Sequence, residues 1–292
     1  MMGYRVIFLT NPARLYVKNQ QLVIDNGDVF KVPLEDIECI AIDSMQITMN
    51  SYLLSRLSEY AITLYVTDKT HHPCGTFLPL LRHSRHLSVL KNQLEMTLPN
   101  KKKLWKQIVC QKIENQATVL KLCGIDVLKS MVKSGDPDNM EAVAASKYFK
   151  LLFGKNYTRT QDNFINPKLN YGYSILRSTI SKYLVVYGYE PSLGIFHKSN
   201  LNSFNLSDDI IEPFRPIVDL YVKKFALEDE IDTHTKASLA NLLNCDLIID
   251  NKLFACAKAI ELTIKSLSNW YNDKNKSLLL PQIIDLEQHT YE

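Results

Sequence analysis

Glu141, His197 and Glu212 have the side-chain types that hold a hard divalent cation. Mg²⁺ and Mn²⁺ need oxygen donors, and Mn²⁺ accepts an imidazole as well. Two carboxylates and one neutral histidine leave coordination positions for water and phosphate oxygens, which is what metal-assisted phosphodiester chemistry requires. Asp209 stands three residues before Glu212. A helical turn would put both on one side, which makes Asp209 a neighbouring donor of the same set. Each residue also has a purely structural reading. Glu141, early in a helix, favours the helix dipole. His197 follows Ile195 and Phe196 and could simply be packed. Asp209-x-x-Glu212 followed by Pro213 resembles a capping box at a helix start. Spacing alone does not decide whether the groups converge.

Other chemistries find less support. The sequence has no Walker P-loop, no GxGxxG and no GxSxG. His71-His72 and His83-x-x-His86 lack cysteines or carboxylates at metal-ligand spacing, and with Arg82 and Arg85 they read as a phosphate-facing or solvated strip. The six cysteines form no CxxC pair and read as reduced thiols.

The net charge is only +3, but it is unevenly spread. Residues 79–106 carry seven Lys/Arg against one acid, and residues 141–200 carry eight against three. Residues 201–292 carry nine basic and fifteen acidic groups. Two basic blocks in a near-neutral chain suit a polyanion such as nucleic acid, although solvated helix faces that never meet in space give the same charge pattern. The run Asn170-Tyr171-Gly-Tyr-Ser-Ile-Leu-Arg177 sets tyrosines beside a base in the second block. That is a pattern for stacking on unpaired bases, although core packing explains the tyrosines as well.

The elements that must position these groups fall into two textures. Residues 1–78 alternate short Val/Ile/Tyr/Phe runs with turns such as Asn26-Gly27, predicting strands at 5–9, 14–18, 21–24, 29–32, 37–42 and 62–66 and one helix at 51–60. From residue 79 to 292 apolar residues recur every three or four positions, predicting helices at 87–97, 101–132, 139–153, 167–188, 213–228, 235–243 and 254–272. A hairpin around Asp250-Asn251 is the one strand signal there, and residues 278–292 read as a tail. The fold class is thus α+β: a small N-terminal β-sandwich-like domain (1–78) and a larger helical domain (79–292) that carries the candidate site residues and the basic blocks. No apolar run approaches the roughly 20 residues of a membrane span, and the start lacks a signal-peptide pattern. The expectation is a cytoplasmic protein.

Four segments, in this order and at these separations, together resemble one family: Glu141-Ala-Val-Ala-Ala-Ser-Lys-Tyr-Phe, Leu169-Asn-Tyr-Gly-Tyr-Ser-Ile-Leu-Arg177, Gly194-Ile-Phe-His197 and Asp209-Ile-Ile-Glu212-Pro-Phe-Arg-Pro-Ile-Val-Asp219. The family is CRISPR-associated protein one, the integrase and endonuclease of spacer acquisition, and the likeness is to its type II members. The resemblance implies metal ligation by Glu141, His197 and Glu212, with Asp209 inside or just outside the site. It implies Mg²⁺ or Mn²⁺ as cofactor and insertion of short duplexes into a CRISPR array by 3′-hydroxyl attack. It also implies a homodimer that joins CRISPR-associated protein two in a heterohexamer on double-stranded DNA with 3′ ends, in prokaryotic cytoplasm, with the RNA-guided effector nuclease as a further partner. Arg177, Lys198 and Arg215 become phosphate-contact candidates, and Arg82, Arg85, Lys101, Lys102 and Lys103 a DNA track. Two alternatives stand beside this reading: a metal-dependent nuclease on branched or repair DNA, and a non-catalytic DNA-binding scaffold.

Overall fold

A computed structural model describes residues 3–69, 73–79, 85–125, 146–227, 230–273 and 277–290. Glu141 and Arg82, with His71, His72 and His83, lie outside these residues. The N-terminal strands are β1 (Arg5–Leu9), β2 (Ala13–Lys18), β3 (Gln21–Asp25), β4 (Val29–Pro33), β5 (Ile37–Ile42), β6 (Ile47–Met49), β7 (Thr63–Thr67) and β8 (Pro73–Phe77). Helix α1 (Ser51–Glu59) starts where the Asn50 side chain accepts the Leu53 N–H, an N-cap. One sheet is the meander β4-β3-β2 with β6 added in parallel to β2, and the other runs β1-β5-β7-β8. The β2–β3 turn places Asn19 and Gln20 at φ 51° and 59°, the left-handed pair that a two-residue hairpin requires.

In the second sheet β1, β5 and β7 are parallel. Parallel strands are covered on both faces, and all six residues of β5 are buried. Ile40 and Ile42 face a core shared with Leu15, Leu22, Leu53 and Leu57. Cys39 and Ala41 face the larger core of the helical part. This sheet is therefore the wall between the two layers. The strands β6 and β8, too short or too polar to show period-two alternation, are additions to the sequence reading.

The remainder comprises α2 (His86–Leu94), α3 (Leu98–Leu122), a helical segment at 146–153, α4 (Ile165–Val186), α5 (Asn205–Ile210), α6 (Arg215–Phe225), α7 (Thr233–Asn241) and α8 (Cys256–Asn272). It also holds a three-stranded antiparallel sheet, β10 (Lys252–Ala255), β9 (Cys245–Ile249) and β11 (Gln282–Gln288). The β9–β10 hairpin turns at Asp250 and Asn251, both at positive φ, where the sequence places it. The expected tail is corrected: β11 pairs with β9 along one edge. Asn115 of α3 holds its entry by donating to Pro281 O at 2.8 Å and accepting from Ile283 N at 3.2 Å.

Two buried ion pairs pin the wall to the helices. Lys182 Nζ of α4 lies 2.6 Å from Glu38 Oε1, which also accepts from Tyr183 at 3.0 Å. Lys236 Nζ of α7 lies 2.9 Å from Asp43 Oδ2. Removing one partner of such a pair leaves a buried charge alone. Lys182→Met is expected to cost about 3–5 kcal/mol in denaturant unfolding, and adding Glu38→Leu to recover most of it. A single-variant cost below about 1 kcal/mol would show that the pair is well solvated.

Candidate active site

The loop Gly194–His197 wraps the buried end of α5. The N–H groups of Ile195, Phe196 and His197 donate to the Asp209 carboxylate at 2.5, 3.0 and 3.1 Å. Gly194 makes the approach feasible, since a Cβ there would meet His197 O at 2.1 Å and Asp209 Oδ2 at 3.0 Å. Asp209 is fully buried, and its Oδ1 lies 2.8 Å from His197 Nδ1. The capping-box reading is thus corrected. Asp209 lies inside α5 and serves a distant loop, and the proline that opens α6 is Pro216.

The carboxylate makes Nδ1 the protonated nitrogen and leaves Nε2 as the acceptor. This hydrogen bond to Asp209 raises the imidazole above its ordinary pKa, with burial opposing and Glu212 and Asp208 adding to it. The ring plane is held by Trp105 of α3, whose indole meets it edge-on at 6.0 Å and stacks on Phe196 at 4.4 Å. Lys101 Nζ donates to Gly194 O at 3.1 Å and ties the same loop to α3.

Glu212 sits in the turn between α5 and α6 and is 4% exposed. Its Oε2 lies 2.5 Å from Lys112 Nζ and its Oε1 3.0 Å from Arg215 Nε. Burial alone would raise this carboxyl, but Arg215, Lys112 and His197 outweigh it and hold it below the usual range. Asn115, one turn beyond Lys112, donates to Pro213 O at 2.7 Å and fixes the turn from below.

His197 and Glu212 bear on each other electrostatically: Glu212 helps to raise the imidazole and His197 helps to lower the carboxyl. They fit a divalent cation: an imidazole whose far nitrogen is tied to a carboxylate is the usual metal-binding histidine, and Glu212 is an ionised oxygen donor. Asp209 does not fit as a ligand, because three N–H groups and the imidazole already occupy its oxygens. Among the described residues no three His, Cys, Asp or Glu side chains form a ligand cluster.

Beside Arg215 opens a polar cleft of about 220 Å³ lined by Arg159, Asn170, Ser174, Arg177 and Asp208. Arg159 is held by the amide oxygens of Asn166 and Asn170 at 2.9 and 2.6 Å. Arg177 is 3.9 Å from Asp208. Three guanidinium groups facing one cleft suit phosphate oxygens. A second cavity, about 450 Å³, is lined by His197, Lys101 and Lys198 among others. Arg85, Lys102, Lys103 and Lys198 are exposed. Tyr171 is corrected: it is 2% exposed, packed near Cys39 and Asp43 at the sheet wall, and it cannot stack on a base. Sequence reasoning missed Lys112, Asn115 and Arg159. The first two interrupt the apolar stripe Leu104, Ile108, Val119 of α3, a signal that was readable. Arg159 stands in a turn-rich stretch with no periodic cue.

The wall of parallel strands under a helical layer, with the His197–Asp209 pair and the ion-paired Glu212 next to an arginine-lined cleft, defines a mixed α+β protein. A profile described as "CRISPR associated protein Cas1" matches residues 6–135 and 138–246. The chain is 40% identical over the full length of both sequences to the CRISPR-associated endonuclease Cas1 of Neisseria meningitidis serogroup C (strain 8013). The chain belongs to the Cas1 family. Among solved structures, a casposase bound to integration product superposes with TM-score 0.76 at 18% identity, covering 94% of this chain and 92% of that one. A Cas6-RT-Cas1–Cas2 complex superposes with TM-score 0.68 at 18% identity, covering 94% of this chain and 35% of that one. At these identities the likeness to the two structures is one of fold. Among the described residues no helix is long and apolar enough to cross a membrane.

Proposed function

We propose that this chain is a divalent-metal-dependent DNA integrase and endonuclease of CRISPR adaptation, which inserts short duplexes by 3′-hydroxyl attack on phosphodiesters. The observation that carries the reading is a His197 whose Nδ1 is held by Asp209, within electrostatic reach of an ionised Glu212 that Lys112 and Arg215 clamp. His197, through Nε2, and Glu212 would hold Mg²⁺ or Mn²⁺, with Glu141 as the third ligand that the family resemblance implies. The cation, when bound, lowers the pKa of the attacking hydroxyl and stabilises charge on the scissile phosphate. The chain's own part is positioning and electrostatics. Asp209 holds the ring proton on Nδ1, which turns the Nε2 lone pair outward and orients the ring. Lys112 and Arg215 keep Glu212 ionised and still. Arg159, Arg177 and Arg215 orient the strand through its phosphates. No protein nucleophile takes part.

The casposase with its integration product supports strand joining as the reaction, and the Cas1–Cas2 complex supports a Cas2 partner. The proposed assembly is a homodimer that joins Cas2 in a heterohexamer on DNA with 3′ ends, in the cytoplasm, with the RNA-guided effector nuclease as a further partner. The test is incubation of the chain and its Cas2 with a labelled duplex and a supercoiled plasmid. Joining of label to the plasmid through its 3′ end is expected. Cleavage of branched DNA with no joined product would favour a nuclease instead.

The cleft gives a separate expectation. Each lost phosphate contact should lower the slope of log affinity against log salt by about 1. Arg159→Ala with Arg177→Ala is expected to lower it by about 2 in duplex binding between roughly 50 and 200 mM salt. An unchanged slope would remove the cleft from the DNA path.

A further inference from the structure

Asp219 lies one turn beyond Arg215 on α6 and is buried to 1% exposure. It touches neither His197 nor Glu212 within hydrogen-bond range, and the chemistry above does not use it. Its two oxygens are nonetheless fully engaged. Tyr148 donates its hydroxyl to Oδ2 at 3.0 Å, and Tyr173 of α4 donates to Oδ1. The Tyr173 ring in turn carries the Arg215 guanidinium, whose Cζ lies 4.7 Å from the ring centroid, and the Arg159 guanidinium at 5.3 Å. Arg215 then reaches Glu212 Oε1 through Nε. One unbroken set of contacts therefore runs from Asp219 to Tyr173, Arg215 and Glu212. An arginine on a fixed aromatic face has little freedom, and so its partner carboxylate has little.

We infer that Asp219 and Tyr173 are positioning residues for Glu212: Asp219 fixes the Tyr173 hydroxyl, and the ring fixes the arginine that aims the carboxylate. The inference rests on the proposed metal site. It assigns the pair a task at that site rather than in holding the fold together.

Burial supports that assignment. It pushes the Asp219 carboxyl up to about 6, against the opposing effect of the Tyr173 and Tyr148 hydroxyls and of Arg159 and Arg215. A carboxyl raised in the folded state stabilises the fold below its ordinary pKa, and that stabilisation is lost as pH rises through about 6. Near pH 8 the ionised Asp219 is thus a burden on stability. A residue kept for packing alone would be better replaced by a neutral one.

The test is Mn²⁺ binding by the full chain at pH 8, read from the electron paramagnetic resonance signal of free Mn²⁺, together with thermal unfolding. Wild type is expected to bind and His197→Ala to lose binding. Tyr173→Phe, which keeps the ring and removes the hydroxyl, is expected to weaken Mn²⁺ binding about 10-fold, the usual size for a group that supports a ligand from behind. Asp219→Asn is expected to do the same while unfolding no earlier than wild type. Arg215→Lys keeps the charge but not the stacking, and is expected to weaken binding without adding to Tyr173→Phe, because both break one path. Unchanged Mn²⁺ affinity in Tyr173→Phe and Asp219→Asn would overturn the inference and leave the metal site standing. So would losses that merely follow lowered unfolding temperatures. Failure of wild type to bind Mn²⁺ would overturn the metal site and the inference together.

Discussion

Glu212→Ala is expected to abolish strand joining, a loss of at least about 1,000-fold, and to destabilise the chain by about 3–5 kcal/mol. The two effects have different origins. The catalytic loss comes from removing an oxygen donor whose charge the site maintains against burial. The stability loss comes from Lys112, whose side chain is only 9% exposed and whose Nζ sits 2.5 Å from the missing carboxylate. A buried ammonium without its counter-charge either pays desolvation or loses its proton. A second substitution separates the effects. Lys112→Met in the Glu212→Ala background replaces the stranded cation with an apolar side chain of similar length. Denaturant unfolding is expected to return to within about 1 kcal/mol of wild type, since a buried pair can often be exchanged for apolar groups at little cost. Joining should remain absent. Recovery of joining along with stability would show that Glu212 serves the fold and not the reaction.

Asp209→Asn is expected to lower joining by about 100- to 10,000-fold, because Asp209 acts from behind His197 on Nδ1. The carboxylate accepts four hydrogen bonds, from three backbone N–H groups and His197 Nδ1. An asparagine must turn its NH₂ toward one set of these donors. Facing the imidazole, it makes Nδ1 the acceptor and moves the ring proton to Nε2, the nitrogen a metal needs. The same substitution behind a catalytic histidine in serine proteases, a known example, costs about 10,000-fold for this reason. Supporting carboxylates behind metal-bound histidines are worth about 10- to 100-fold, which sets the lower end. Facing the backbone, the NH₂ leaves buried N–H groups unpaired at about 1–3 kcal/mol each. Initial joining rates at saturating Mn²⁺, with unfolding as control, measure both. A loss below about 3-fold would mean that the His197 tautomer is set elsewhere.

Much of the frame was readable because local rules govern it. The strands of the meander, the Asp250-Asn251 hairpin and the long helices follow from two-residue and 3.6-residue periodicity and from turn chemistry. The strands of the parallel wall were readable, Ile37–Ile42 with its observed bounds, but their parallel order was not, because a strand buried on both faces carries no signal of its partners. The final strand was hidden for a similar reason. Gln282–Gln288 has mixed polarity, and its pairing with β9 and anchoring by Asn115 are set by residues far away in sequence.

The centre divides along the same line. His197 and Glu212 could be named from their types and from the order of the segments around them. Their surroundings could not. That Asp209 is spent on a backbone loop, that Lys112 faces Glu212 and that Tyr171 is core all depend on helix rotation and crossing, which spacing does not determine. Tyr171 and Tyr173 show how sharp the limit is. Two residues apart in one segment, the first packs against the sheet wall and the second carries two arginines beside the site.

The most direct measurement is strand joining in excess chelator with Mn²⁺ titrated back, comparing wild type with the Glu212→Ala, Lys112→Met double variant of matched stability. Wild type should be silent in chelator and recover fully as free Mn²⁺ rises, while the double variant stays silent throughout. Joining by wild type in chelator, or joining by the folded double variant, would contradict a metal site built on His197 and Glu212.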